Sequence, residues 1–220
     1  MRFIIFDCDG TLVDSQKAIM RGIHTAWLVE GLTPPLLSDV LNIIGLPLLK
    51  AIVVLNPQGD DAQNSRLEQG FFNTFNNVEV AVEEEEPLYH GVIETLQALK
   101  KKGALLAVIT GKGRHGLRKV FDRHNLHDLF VVTKTADCGA GKPNPQALLD
   151  AMDEVGADKT NSVIIGDTTY DILMGKNAGI KSIGVSFGYH SVADLKEAGA
   201  ELIVDAFTDL PNAIDKILIG

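Results

Sequence analysis

The sequence predicts an α/β fold, a parallel sheet with helices on both faces, interrupted after its first strand by a mainly helical insert. Two observations carry this. From Ala104 onward, apolar runs of strand length alternate with helix-length amphipathic segments, and a similar apolar run opens the chain. Between Ser15 and about Glu86 the rhythm changes to helical spacing, with no convincing buried strand.

Taken in order, "RFIIF" (2–6) is the first strand, a continuous apolar run as expected for a strand covered on both sides. The insert follows, with "AIMRGIHTAWLVEGL" (18–32) and "SRLEQGFFNTFNNV" (65–78) reading as helices. Between them, "NIIG" and "AIVVL" read as helix, then a turn at Gly45 and helix again. The acidic run "VEEEEPLY" (82–89) reads as a hydrated linker face, because blocks of like charge normally stay solvated. Beyond it, "ALLAVIT", "FVVT", "SVIIGD", "SIGVSF" and "LIVD" read as buried strands. The segments "RHGLRKVFDRHNL", "PNPQALLDAMDEVG" and "TTYDILMGKNAG" read as the helices between them, each with Gly or Asn near its end.

Composition narrows the function. At 220 residues and 45% hydrophobic content the chain has room for one large core and a smaller satellite. A formal charge of -9 argues against nucleic acid and anionic membrane as partners, while leaving small anions possible. No stretch approaches about 20 uninterrupted apolar residues, and the first apolar run is stopped by Asp7, so a cytoplasmic location is the simplest expectation. Cys8 and Cys138 form no metal-binding or disulfide spacing and are expected as buried or half-buried thiols.

In open parallel sheets ligands bind beyond the carboxyl ends of the strands. Reading those ends collects Asp7, Asp9, Gly10 and Thr11 after the first strand, Thr110 and Gly111 after "LLAVI", and Asp167 and Asp171 after "SVIIG". The loop "GAGKPNP" adds Lys142. Four carboxylates in one crevice repel unless a divalent cation neutralises them, and an all-oxygen set suits a hard ion such as Mg²⁺. A lysine and a threonine hydroxyl near helix amino termini suit an anion, phosphate best of all.

The motifs "DCDGT" (7–11), "VITG" (108–111), "GKPNP" (141–145) and "GDTTYD" (166–171), in this order, resemble the four motifs of the haloacid dehalogenase superfamily, in particular its phosphoglycolate phosphatase-like branch. The resemblance implies a doubly wound, Rossmann-like core of residues 1–14 and 87–220 with a small helical cap of residues 15–86. It further implies a phosphatase in which Asp7 attacks phosphorus, while Asp9 protonates the leaving oxygen and later activates water. Thr110, Gly111 and Lys142 would bind the phosphoryl group. Asp7, the backbone carbonyl of Asp9 and Asp167 would hold Mg²⁺, with Thr11 and Asp171 in support. Dehalogenases of the superfamily lack the second acid of the first motif, so Asp9 argues for phosphoryl transfer.

The implied partner is a small phosphorylated metabolite, phosphoglycolate first among them, and the implied assembly a monomer or homodimer. A β-phosphoglucomutase-like sugar phosphomutase and an inorganic pyrophosphatase are alternatives using the same acids. A phosphate-storing signalling receiver is disfavoured, because receivers carry no helical insert after the first strand. A non-catalytic descendant would be expected to have lost Asp7 or Asp9. Two departures from the branch are visible: His90 and Gly91 stand where many relatives have Pro-Gly, and "LNIIGLPLL" lacks the arginine often found before its glycine in phosphoglycolate phosphatases.

Outside the motifs, bland readings dominate. Asp14 and Ser15 start the first insert helix, and Thr168 and Thr169 begin the helix that follows them. Trp27, Phe71 and Phe72 are core residues of the insert. The six histidines show no metal-ligand spacing. The basic stretch Lys112 to Arg118 is a solvated first helical turn.

Overall fold

The computed structural model describes residues 1–76 and 86–218. Six strands form one sheet in the order β3-β2-β1-β4-β5-β6, and every neighbouring pair is parallel. They are β1 (Phe3–Phe6), β2 (Leu105–Ile109), β3 (Val132–Lys134), β4 (Ser162–Gly166), β5 (Lys181–Val185) and β6 (Leu202–Val204). Strand β1 is central, and the chain departs from it in opposite directions towards β2 and β4. That is the topological switch point at which such sheets bind ligands.

Alternation along the strands divides the core in two. Ile4 and Phe6 of β1 join Leu106, Val108, Val163 and Ile165 on one face, while Phe3 and Ile5 join Ala107, Ile109 and Ile164 on the other. The first face is covered by α5 (Val92–Lys101), α6 (Arg114–His124) and α10 (Leu210–Leu218). Helices α7 (Gln146–Val155) and α8 (Thr169–Ala178) cover the second, and α9 (Val192–Ala198) follows β5. With both faces covered, β1 is apolar and fully buried throughout.

The insert consists of α1 (Gln16–Val29), α2 (Leu37–Ile43), α3 (Leu48–Leu55) and α4 (Asp61–Asn76). Helices α1 and α4 pack along each other, and Ile23, Ala26, Trp27, Ile43, Ile52 and Leu67 form a cluster separate from the two on the sheet. Where the chain leaves and re-enters the sheet domain its two segments run side by side. The Asp14 N–H donates to the Pro87 carbonyl at 2.9 Å, and the Tyr89 N–H donates to the Leu12 carbonyl at 3.0 Å.

Three expectations need correction. Phe72 is 43% exposed and is not a core residue, unlike Trp27. Cys138 is exposed because it sits in a surface 3-10 turn, whereas Cys8, directly after β1, is buried. The strand expected over 130–133 begins only at Val132, with Val131 half exposed at the sheet edge. Residues 82–85 of the acidic run lie outside the described residues.

Candidate active site

Asp7 is the first residue beyond β1, and its N–H donates to the Ile165 carbonyl of β4 at 2.9 Å, so the sheet itself fixes its backbone. Its side chain is fully buried. One carboxylate oxygen, Oδ1, accepts from the Cys8 N–H at 2.6 Å and lies 2.6 Å from Nζ of Lys142. The other, Oδ2, is buried with no hydrogen-bond partner among the described residues. Burial pushes the Asp7 carboxyl up to about 7, against the pull of the Lys142 ammonium.

Lys142 reaches this position from the loop ahead of α7, and only 2% of its surface is exposed. The same Nζ lies 2.6 Å from Oδ1 of Asp171. Burial alone would lower the lysine, but Asp171 and Asp7 outweigh it and hold the ammonium well above its usual range. Asp171 is fixed from its other side. Its Oδ2 accepts from the Thr168 hydroxyl at 2.6 Å and the Thr168 N–H at 3.1 Å, forming a capping box at the start of α8.

Asp167 follows β4. Its Oδ1 accepts from the Thr11 hydroxyl at 2.9 Å and its Oδ2 from the Tyr189 N–H at 3.0 Å. Burial, then the charges of Asp7 and Asp171, push its carboxyl well above the ordinary range. The backbone around it leaves no room for side chains: a β-carbon on Gly10 would stand 2.1 Å from Oδ2 of Asp167, and one on Gly188 2.1 Å from its Cβ. Gly10 also takes φ +81°, the left-handed turn that redirects the chain after Asp9.

Carboxylate oxygens of Asp7, Asp167 and Asp171 lie within 4.8 Å of one another, all three buried. When ionised they carry three negative charges against the single ammonium of Lys142, an excess of two that a divalent cation would cancel. Together with the unpartnered Oδ2 of Asp7, this donor set fits a hard ion such as Mg²⁺. Asp171 engages Lys142 and Thr168, and Asp167 engages Thr11 and Tyr189, which leaves Oδ2 of Asp7 as the one oxygen of the three carboxylates without a partner among the described residues.

The carboxylate of Asp9 is turned elsewhere. Its Oδ1 lies 3.0 Å from Nζ of Lys112, which in turn lies 2.7 Å from Oε1 of Glu86. Neither partner is solvated as the sequence suggested: the side chains of Lys112 and Glu86 are each 14% exposed. Local charge pattern points outward for both, and only the folded chain brings residues 9, 86 and 112 together. Thr110 closes the site from β2. It is buried, its N–H donates to the Lys134 carbonyl at 3.0 Å, and its hydroxyl accepts from the Lys112 N–H at 3.1 Å.

Above these residues lies the turn between α2 and α3. A β-carbon on Gly111 would stand 2.6 Å from the Gly45 carbonyl oxygen, and one on Gly141 2.3 Å from the Pro47 ring. Lys50 donates to the Ala140 carbonyl, and the Tyr170 hydroxyl donates to the Asn42 carbonyl at 3.0 Å. The insert is thus seated on the loops that hold Thr110, Lys142 and Asp167.

Residues 4–185 match the family model described as haloacid dehalogenase-like hydrolase. The chain belongs to the haloacid dehalogenase-like hydrolases. A probable phosphatase, IndB, of Dickeya dadantii is 34% identical over 98% of this chain and 94% of its own. A phosphoglycolate phosphatase of Agrobacterium fabrum is 29% identical over 98% and 93%. The fold is shared with a solved haloacid dehalogenase-like hydrolase from Bacteroides fragilis at a TM-score of 0.88, with 24% identity over 95% of this chain and 99% of that one. Among the described residues of this hydrolase, no helix is long and apolar enough to cross a membrane.

Proposed function

We propose that this hydrolase is a Mg²⁺-dependent phosphatase acting on a small phosphomonoester, phosphoglycolate first among the candidates, through an aspartyl-phosphate. One observation carries the reading: a buried carboxylate oxygen, Asp7 Oδ2, has no hydrogen-bond partner among the described residues and stands beside a lysine and two further acids at the sheet's switch point. Likeness to the Agrobacterium phosphoglycolate phosphatase supports the substrate.

In this reading Asp7 attacks the phosphorus while Asp9 gives a proton to the departing alkoxide. Asp9 then takes a proton from the water that attacks the same phosphorus, which releases phosphate and regenerates Asp7. The hydroxyl of Thr110, Gly111 and the ammonium of Lys142 hold the phosphoryl oxygens, and Asp171 keeps Lys142 in place. Asp7, Asp167 and the backbone carbonyl of Asp9 would bind Mg²⁺, which when bound supplies positive charge against the phosphoryl oxygens. Thr11 orients Asp167.

Residues 15–86 act as a cap on a core of residues 1–14 and 87–220. The separate apolar cluster of the insert and the seating of Gly45 and Pro47 against Gly111 and Gly141 support that division. Closure of such a cap excludes water and selects the substrate.

Phosphate release is the test, measured with and without Mg²⁺ on phosphoglycolate, pyrophosphate, sugar phosphates and nucleoside monophosphates. Mg²⁺-dependent release led by phosphoglycolate is expected. Release from pyrophosphate alone, or interconversion of sugar phosphates without release, would replace this reading by one of its two relatives.

A further inference from the structure

The two acids of the first motif sit in different electrostatic surroundings. Asp7 shares Lys142 with Asp171 in a cluster that is short of positive charge. Asp9 belongs to a balanced set: Lys112 lies between the Asp9 and Glu86 carboxylates, and Nη1 of Arg123 lies 3.4 Å from the second oxygen of Glu86. Two cations thus face two anions, and a ring nitrogen of His124, 2.8 Å from the Glu86 carbonyl oxygen, fastens the backbone of the same residue.

This is not an ordinary surface pair. The side chains of Asp9, Lys112 and Glu86 are 10%, 14% and 14% exposed, so water screens their attraction weakly. Lys112 is also tied to the phosphoryl-binding strand end, because its N–H donates to the Thr110 hydroxyl at 3.1 Å. One residue therefore links the position of the Asp9 carboxylate to that of Thr110. Glu86 lies on the segment returning from the insert and fixes the lysine from behind.

We propose that Lys112 is a positioning residue for the Asp9 carboxylate, anchored in that task by Glu86. The proposal rests on the reading of Asp9 as proton donor to the leaving oxygen, and the charge pair with Lys112 is that of the carboxylate Asp9 becomes on giving up its proton. Lys112 touches neither the phosphoryl group nor the leaving group in this account; it acts through Asp9. Lys142 cannot serve both acids, because Asp7 and Asp171 already occupy its ammonium.

The test uses the dependence on the leaving group. An alkoxide must be protonated as it departs from phosphoglycolate, whereas 4-nitrophenolate departs without a proton. Values of kcat/KM are measured for both substrates in wild type, Lys112→Met, Lys112→Arg, Asp9→Asn and the Asp9→Asn/Lys112→Met double variant. Lys112→Met is expected to lose roughly 10- to 100-fold on phosphoglycolate and less than about 3-fold on 4-nitrophenyl phosphate. Lys112→Arg should restore part of the loss, and the second substitution should add nothing to Asp9→Asn on phosphoglycolate. A purely structural lysine would lower both substrates alike, and that result overturns the proposal. Where Lys112→Met does not fold, the same ratio is read in Glu86→Gln, which removes the anchor of Lys112, and an unchanged ratio there overturns it too. If Asp9→Asn itself shows no dependence on the leaving group, the reading of Asp9 is what fails.

Discussion

The ammonium of Lys142 lies 2.6 Å from Oδ1 of Asp7 and an equal distance from Oδ1 of Asp171, and nothing else among the described residues pairs with it. A buried cation shared between two buried acids is costly to remove from one side only. Lys142→Met should therefore lower unfolding stability by about 3 to 5 kcal/mol and abolish phosphate release. Chemical denaturation with and without Mg²⁺ checks this. A variant as stable as wild type would mean that the acids, not the lysine, set the charge balance.

Burial raises the carboxyls of Asp7 and Asp167, Asp7 to about 7. A folded value above the unfolded one means that the fold favours the protonated acid. The contribution of these two acids to stability is therefore greatest below the ordinary carboxylate range, and that of Asp7 falls as pH rises from about 4 towards 7. His190, held below its ordinary value by burial, works in the opposite direction as pH falls. The difference in melting temperature between Mg²⁺ and chelator cancels that term. The Mg²⁺ gain should be small at pH 5 and larger at pH 8, because the ion binds the deprotonated acids. An equal gain at both pH values would contradict the metal assignment.

Contact between the Gly45 turn and Gly111 leaves no space for a methyl group, since a β-carbon there would also stand 2.8 Å from the Leu46 carbonyl oxygen. Gly111→Ala should hold the insert away from the core loops and lower kcat/KM by at least about 10-fold, with little change in melting temperature. Steady-state kinetics on the best substrate of the panel, with a thermal melt alongside, would check it. Unchanged kinetics would show that turnover does not need this contact.

Tyr170→Phe removes the hydrogen bond to the Asn42 carbonyl and keeps the aromatic ring. A loss of about 2- to 10-fold in kcat/KM is expected, in line with one hydrogen bond. The Tyr170→Phe and Gly111→Ala losses should combine less than additively if both act on the same closure.

Much of the candidate site was legible as a place in the fold because its residues follow strand ends, and strand ends follow from local apolar patterning. Asp7, Thr110 and Asp167 each stand directly beyond a run such as "FIIF", "LLAVI" or "SVIIG". The turn at Gly45 between two helices was legible for a similar reason. Pairings between distant residues were not. Glu86 sits in an acidic run and Lys112 in a basic one, and local composition assigns both to solvent. Their burial depends on the insert returning beside α6, which no local pattern encodes. The different partners of Asp9 and Asp7 likewise depend on side-chain direction at a turn, where the alternation of a strand no longer applies.

Asp7→Asn tests the proposed role of Asp7 as nucleophile most directly. Asparagine keeps the shape of the side chain, and Asp171 still pairs with Lys142, so the fold should survive. Phosphate release by the folded variant should fall at least about a thousandfold, with or without Mg²⁺. Substantial residual Mg²⁺-dependent release from a folded Asp7→Asn protein would contradict the nucleophile assignment and the aspartyl-phosphate with it.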